Sequence, residues 1–197
     1  MRNYRLSLVR LALYGLLALS LLPVVMMILL SLKSNVEIIT DFWSWPNSIR
    51  WDNYPAAFAT VAGSTLNSLF VSLVSCAGIV LLSSLTGFVF ARHEFPGKEL
   101  LFTLLIALIM LPQVLLLVPL FIEIKSMGLD NSYWALILPY LSGGQLIGIL
   151  LCRGFFSTIP RELFESARID GASEFQIYSR IVLPLSLPIL TTIAIIN

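Results

Sequence analysis

The chain has 197 residues, of which 58% are hydrophobic and 12% are charged. Soluble globular domains carry about a quarter charged residues, so this composition excludes an ordinary soluble domain and indicates an integral membrane protein. The formal net charge is only +1, and the chain has no notable basic patch of the kind that binds nucleic acid.

The first predicted membrane span covers residues 11–32, and the ten residues before it contain three arginines. This apolar run is longer than the apolar part of a cleavable signal peptide, which has about 7–15 residues. It also lacks a clear small-residue cleavage site. We therefore expect a membrane helix that is retained in the mature protein.

The segment after the first span, residues 33–64, is rich in aromatic side chains, namely Trp43, Trp45, Trp51 and Tyr54. Such amphipathic rings are typical of the membrane–water interface. Stacking against a carbohydrate is an alternative use of the same rings, and the pattern leaves both possibilities open.

Three more apolar runs reach the length of a membrane-spanning helix, on the order of 20 residues. They cover residues 65–91, 100–124 and 135–156, and together they predict an all-α, polytopic membrane helix bundle. A fifth run covers residues 184–197, which is about 14 residues and too short to cross a bilayer. We therefore expect the chain to be truncated at its C-terminus, within a membrane domain that covers residues 11–197.

Positive charges predict the orientation of these spans. They concentrate in the N-terminal segment, between the second and third spans, and after the fourth span, at Arg2, Arg5, Arg10, Arg92, Lys98, Arg153, Arg161, Arg168 and Arg180. Because cytoplasmic loops of membrane proteins are enriched in lysine and arginine, we expect these segments, including residues 1–10, to be cytoplasmic.

Uncharged polar residues in or beside the spans are candidates for a path through the membrane. We single out Asn67, Gln113, Tyr140 and Gln145, although such groups also join helices to one another by hydrogen bonds. Proton relays require charged side chains within the membrane. No Asp, Glu, Lys or Arg lies in the middle of a clear span of this chain. Energy for transport is therefore expected to enter from outside the bilayer.

The sequence offers no catalytic or metal site, and we expect neither enzymatic activity nor a cofactor. His93-Glu94 begins like a zinc-protease motif but lacks the second histidine, and His93 is the only histidine of the chain. The phosphate-binding pattern G-x-x-x-x-G-K-[ST] is also missing, so any ATP must be hydrolysed by another polypeptide.

Residues 157–183, called the hairpin below, have the pattern of two short helices joined by a turn. Pro160 and Glu162 favour a helix start, and Gly171 favours a helix end. Ser173 followed by Gln176 predicts a capping box for a second helix. Asp170 lies at the end of the first helix, where the macrodipole disfavours a carboxylate, so a turn or partner contact is expected there.

The hairpin resembles a motif of a known transporter family. Glu165-Ser166-Ala167, three residues, Gly171, nine residues and then Ile181-x-Leu183-Pro184 match the EAA loop of MetI-like permeases of bacterial ABC importers. The match departs from the motif only at Ser166, where alanine is usual. Residues 128–140, 155–156 and 159–163 are similar to the carbohydrate-uptake branch, the maltose and glycerol-phosphate permeases.

The resemblance implies partners and roles for individual residues. A cytoplasmic coupling helix would dock on one of two ABC ATPase subunits, with Glu165 as the charge contact and Gly171 as the turn. It would present Ser166 and Ala167 of the motif, and an apolar stripe of Leu163, Phe164 and Ala167. Ile181, Leu183 and Pro184 would tie the hairpin to the fifth span.

The resemblance also implies an unlike second permease subunit, an extracytoplasmic solute-binding protein and a location in the bacterial cytoplasmic membrane. The solute would be a sugar or a related compound. Two alternatives stay open: the same type of permease for a peptide, an amino acid or an anion, and a truncated fragment without transport activity. An amphipathic loop that merely lies on the membrane is less compatible with Glu162, Glu165, Asp170 and Glu174, because interfacial helices favour a cationic polar face.

Overall fold

In the computed structural model, residues 2–197 are described, except for the side chains of residues 2–8 and of Gln113. Every regular element in this part of the chain is helical, which confirms the predicted all-α class. The elements are α1 (Arg2–Ser31), α2 (Asn35–Thr40), α3 (Asn53–Arg92), α4 (Lys98–Ile109), α5 (Gln113–Ser126), α6 (Trp134–Ser157), α7 (Arg161–Ile169), α8 (Glu174–Ile177), a π-helical turn (Tyr178–Val182), α9 (Leu183–Leu185) and α10 (Leu187–Ile196).

Three helical segments are long and apolar enough to cross a membrane: Val9–Ser31 within α1, the whole of α3, and α6. Two further pairs reach that length only if each is taken as one bent span, with angles of 103° between α4 and α5 and 74° between the helix ending at Leu185 and α10. The described residues thus provide between three and five spans.

The segment predicted as one span, residues 100–124, is a bent pair of helices in the structure. α4 ends at Ile109 and α5 begins at Gln113. Pro112 lies at the break. Proline interrupts a helix because it has no N–H for a helical hydrogen bond and restricts the conformation of the residue before it. The run over residues 184–197 is interrupted in the same way at Ser186, two residues before Pro188.

The chain divides into two compact units, one ending at Leu66 and the other beginning at Asn67. In the first unit, Lys33 is buried although it is charged. A buried ammonium group needs hydrogen-bond partners. The ammonium group of Lys33 finds them in the loop that follows α2, and these contacts hold the loop in place. They are the carbonyls of Asp41 (2.7 Å) and Phe42 (3.2 Å) and the hydroxyl of Ser44 (3.2 Å).

The second unit has one hydrophobic core, and the hairpin is part of it. Its buried side chains are Ile79, Phe88, Cys152, Phe156, Ile159, Phe164, Ala167, Ile177, Tyr178, Val182, Leu190 and Ile193. α3 and α6 approach closely where Gly87 faces Cys152, since a Cβ atom at Gly87 would collide with that of Cys152. The core therefore holds the hairpin against the ends of these two long helices.

Candidate functional site

The first arm of the hairpin is α7, and the residues on either side set its limits. Pro160 is extended and precedes the first helical residue. Gly171 has φ +80°, a left-handed conformation that glycine adopts without strain. The N–H groups of Ala172 and Gly171 donate to the carbonyls of Ala167 (2.9 Å) and Arg168 (3.1 Å), the Schellman pattern that ends a helix. The predicted helix and turn are confirmed.

The second arm begins with the predicted capping box. The Ser173 N–H donates to Oε1 of Gln176 (2.8 Å), and the Gln176 N–H donates to Oγ of Ser173 (3.3 Å). From α8 the arm continues through the π-helical turn into α9 without a loop. Phe175 is 71% exposed beside this cap, whereas the Tyr178 ring is buried and its hydroxyl lies 2.7 Å from that of Ser84.

One face of α7 packs on the chain's own core. Phe164 is 3% exposed and Ala167 is 9% exposed, and the Phe164 ring stacks on Phe88 with 6.5 Å between centroids. The assignment of Phe164 and Ala167 to a stripe that docks on an ATPase is therefore corrected, because both side chains hold α7 to its own chain. Leu163 remains 44% exposed.

The opposite face of α7 exposes Glu162, Glu165, Ser166 and Ile169, which follow the i, i+3, i+4, i+7 spacing of one helix side. Ile169 is 85% exposed, and Asp170 after it is also exposed. Ile169 was not among the residues predicted for this site, although its seven-residue spacing from Glu162 places both on one side of a helix. The exposed face thus combines carboxylates with one large apolar side chain.

A cavity of about 200 Å³ lies between the end of α3 and α7. Its charged lining residues are Arg92, Glu94, Arg161, Glu165 and Arg168. Glu94 accepts a hydrogen bond from Lys98 (2.8 Å), which holds the pKa of the Glu94 carboxyl below its usual range. Among the side chains that the structure describes, Glu165 forms no ion pair, so its carboxylate is available to a partner.

Polar contacts of Arg92 and His93, at the end of α3 and directly after it, also tie the hairpin to this region and were not predicted from the sequence. The guanidinium of Arg92 donates to the carbonyls of Phe156 and Ile159 and lies over the ring of Phe164, 4.1 Å from its centroid. Glu174 accepts a hydrogen bond from Nε of Arg168 (2.9 Å) and lies 3.4 Å from Nε2 of His93. Residues so distant in sequence give no local signal of these contacts.

The residues predicted to tie the hairpin to the last helix lie after the π-helical turn begins. Ile181 and Leu183 are half-buried and pack against the core, whereas Pro184 is exposed. The second arm runs through these residues without a break until Ser186.

Of the four residues proposed for the translocation path, three have side chains that the structure describes. Asn67 accepts a hydrogen bond from the Tyr133 hydroxyl (2.8 Å), and Gln145 is half-buried on α6. Tyr140 lines a separate cavity of about 710 Å³. The side chain of Gln113 lies outside the described residues.

The cavity beside Tyr140 carries hydroxyl groups. Ser72, Ser75 and Ser142 line it together with apolar residues of α5. Ser75 Oγ is buried and has no hydrogen-bond partner within the described part of the chain. The cavity is thus an apolar space with a few hydroxyl groups, a composition that suits a ligand with hydroxyls of its own.

Comparison with protein families and solved structures agrees with this fold. Residues 79–197 match the family described as "Binding-protein-dependent transport system inner membrane component". The solved structure described as "Crystal structure of a bacterial ABC transporter involved in the import of the acidic polysaccharide alginate" superimposes with a TM-score of 0.80. That match covers 100% of this chain and 70% of the other at 20% identity, and it supports the helical fold alone.

Curated relatives extend the similarity to most of the chain. The "Probable ABC transporter permease protein YurM" of Bacillus subtilis is 36% identical over 89% of this chain and 59% of its own length. The "Diacetylchitobiose uptake system permease protein NgcG" of Streptomyces coelicolor is 31% identical over 90% of this chain and 59% of its own. The "Trehalose transport system permease protein SugB" of Mycobacterium tuberculosis is 33% identical over 90% of this chain and 65% of its own length. The chain thus spans about three-fifths of the length of the first two relatives.

Proposed function

The chain belongs to the family of inner membrane components of binding-protein-dependent transport systems, and on this premise we propose that it is a permease subunit of an ABC importer. It moves a sugar or related solute across the bacterial cytoplasmic membrane by ATP-driven alternating access. The chain is not an enzyme, because the ATPase subunits hydrolyse the ATP. Its N-terminus lies in the cytoplasm, as the distribution of arginines indicates.

The single observation that carries the proposal is the two-faced geometry of α7 in a chain that matches this family. Phe164 and Ala167 fix the helix to its own chain, while Glu165, Ser166 and Ile169 face outwards. The outward face docks on an ATPase subunit, with Glu165 contacting a basic side chain. Charge complementarity of this kind suppresses binding of wrong partners and fixes the register of an interface.

The names of the relatives support a carbohydrate as the solute. Diacetylchitobiose and trehalose appear in two of them, and both compounds are rich in hydroxyl groups. Tyr140 and the serines of the cavity beside it are the residues of this chain that would hydrogen-bond such a solute on its way. Asn67, Gln113 and Gln145 remain further candidates for that path.

The partners follow from the family premise. An extracytoplasmic binding protein delivers the solute, two ATPase subunits bind on the cytoplasmic side, and an unlike second permease completes the pathway. The aromatic residues of the outer segment, Trp43, Trp45 and Trp51, are exposed and lie at the membrane–water interface on the side of the binding protein.

Reconstitution tests the proposal. The full-length protein is purified with its ATPase subunits, second permease and binding protein, placed in lipid vesicles and supplied with radiolabelled di- and oligosaccharides, peptides and amino acids in turn. We expect saccharide uptake that requires both ATP and the binding protein. Uptake of peptides or amino acids alone would refute the solute class, and a chain that binds no ATPase would refute the permease assignment.

A further inference from the structure

The hairpin is joined covalently to α6 and to α9, but its contact with a third helix, α3, is not covalent. Phe88 and Ser84 of α3 contact the hairpin, and Arg92, the last residue of α3, adds a charged side chain to that contact. Its guanidinium donates to the carbonyls of Phe156 in α6 and of Ile159 after it. The same group lies 4.1 Å from the ring centroid of Phe164 in α7.

The partners of Arg92 are largely shielded from water. Phe156, Ile159 and Phe164 are 0%, 7% and 3% exposed. The Phe156 carbonyl also accepts the Ile159 N–H (3.3 Å), and the guanidinium adds a charged donor to this carbonyl and to that of Ile159 while its flat face covers an aromatic ring. Hydrogen bonds to charged groups and cation–π contacts both strengthen when water is excluded.

We propose that Arg92 is a positioning residue for energy coupling, because it holds α7, the end of α6 and the end of α3 together as one unit. Displacement of the hairpin by the ATPase then moves α3 together with the two helices to which the hairpin is covalently joined. This inference rests on the proposed function of the chain as a permease subunit.

Arg153 provides a matched control for general packing. Its guanidinium lies 3.6 Å from the ring centroid of Phe102 and donates to Glu99 (2.9 Å). It therefore makes the same kinds of contact near the end of α6, but it joins α6 to α4 and not to the hairpin. A general loss of packing affects Arg92 and Arg153 variants alike, whereas a role in coupling separates them.

The test measures solute molecules transported per ATP hydrolysed in the reconstituted full-length transporter. The variants are Arg92→Met, Arg92→Lys and Arg153→Met, each normalised to the amount of assembled complex. For Arg92→Met we expect the ratio to fall severalfold, because methionine removes both hydrogen bonds and the cation–π contact while the apolar packing of α3 on the hairpin stays. Lysine keeps a charge but lacks the planar fork, so Arg92→Lys should restore part of the ratio, and Arg153→Met should leave it near wild type.

Phe164→Leu keeps the inference testable if Arg92→Met does not assemble. Leucine retains most of the apolar contact but removes the ring beneath the guanidinium, so the ratio should fall less than for Arg92→Met but measurably. The inference is overturned if Arg92→Met or Phe164→Leu assembles with a wild-type ratio, or if Arg153→Met lowers the ratio equally. Absence of ATP-dependent uptake by the wild-type complex would refute the proposed function instead.

Discussion

Reversal of the charge at Glu165 should separate the permease from its ATPase without unfolding it. Glu165 is exposed on α7 and forms no ion pair among the described side chains. Its replacement by lysine places a further positive charge near Arg92, Arg161 and Arg168 around the small cavity. Exposed charges interact by about 1 kcal/mol or less, so the thermal stability of the isolated permease should change little.

The effect on ATPase binding should be much larger. Loss of one partner of a desolvated interfacial charge pair costs about 2–5 kcal/mol, and 2 kcal/mol corresponds to about a 30-fold weaker complex. Glu165→Lys should therefore weaken binding of the detergent-solubilised permease to immobilised ATPase by at least about that factor, and Glu165→Gln by less, because glutamine adds no repulsion.

Glu123→Lys is the matched control for this experiment. Glu123 is also an exposed carboxylate, but it lies on the side of the membrane predicted to be opposite the hairpin. The Glu123→Lys permease should therefore bind the ATPase as tightly as the wild type does. Equal binding by wild type, Glu165→Lys and Glu123→Lys would refute the assignment of Glu165 as a docking residue.

Substitutions at three other positions probe the hairpin. Gly171→Ala should destabilise the permease by about 1–2 kcal/mol, because alanine resists the left-handed conformation, and Gly171→Asn should destabilise it less. Thermal unfolding in detergent measures both effects. Equal stability of the wild type and the two variants would contradict the assigned turn. Tyr178→Phe removes the buried contact with Ser84 and should cost about 1 kcal/mol, seen as a lower unfolding temperature that a matched Tyr14→Phe variant does not show. Ile169→Ser should weaken ATPase binding at unchanged stability, because Ile169 is 85% exposed; a loss of stability would instead place this side chain in the permease core.

Local signals predicted the hairpin best. Gly171 at the turn and the Ser173–Gln176 capping box act through bonds to residues a few positions away, so a short stretch of sequence contains everything that determines them. Helix ends of this type are therefore readable without knowledge of the tertiary fold.

Contacts between distant segments were not predictable in the same way. The spacing of Phe164 and Ala167 marks an apolar face of α7 correctly, but a periodic pattern does not say which molecule covers that face. Arg92 contacts Phe156 and Ile159 because α3 and α6 pack against each other near Gly87 and Cys152, so its role depends on tertiary structure.

The bend between α4 and α5 shows another limit. Pro112 is visible in the sequence, as is Pro119, yet α5 continues through Pro119 and the chain breaks only at Pro112. Membrane helices tolerate proline where neighbouring groups satisfy the freed carbonyl. Which of the two prolines ends a helix therefore depends on surroundings that the apolar pattern does not specify.

Accessibility of Ser166→Cys tests most directly whether α7 faces the cytosol and receives the ATPase. Ser166 is exposed and lies outside the capping box, and the native Cys76 and Cys152 are first replaced by alanine. A membrane-impermeant maleimide should label inside-out vesicles but not right-side-out ones, and bound ATPase should slow the labelling. Labelling of sealed right-side-out vesicles, or a rate that the ATPase leaves unchanged, would contradict the docking of this helix on a cytoplasmic motor.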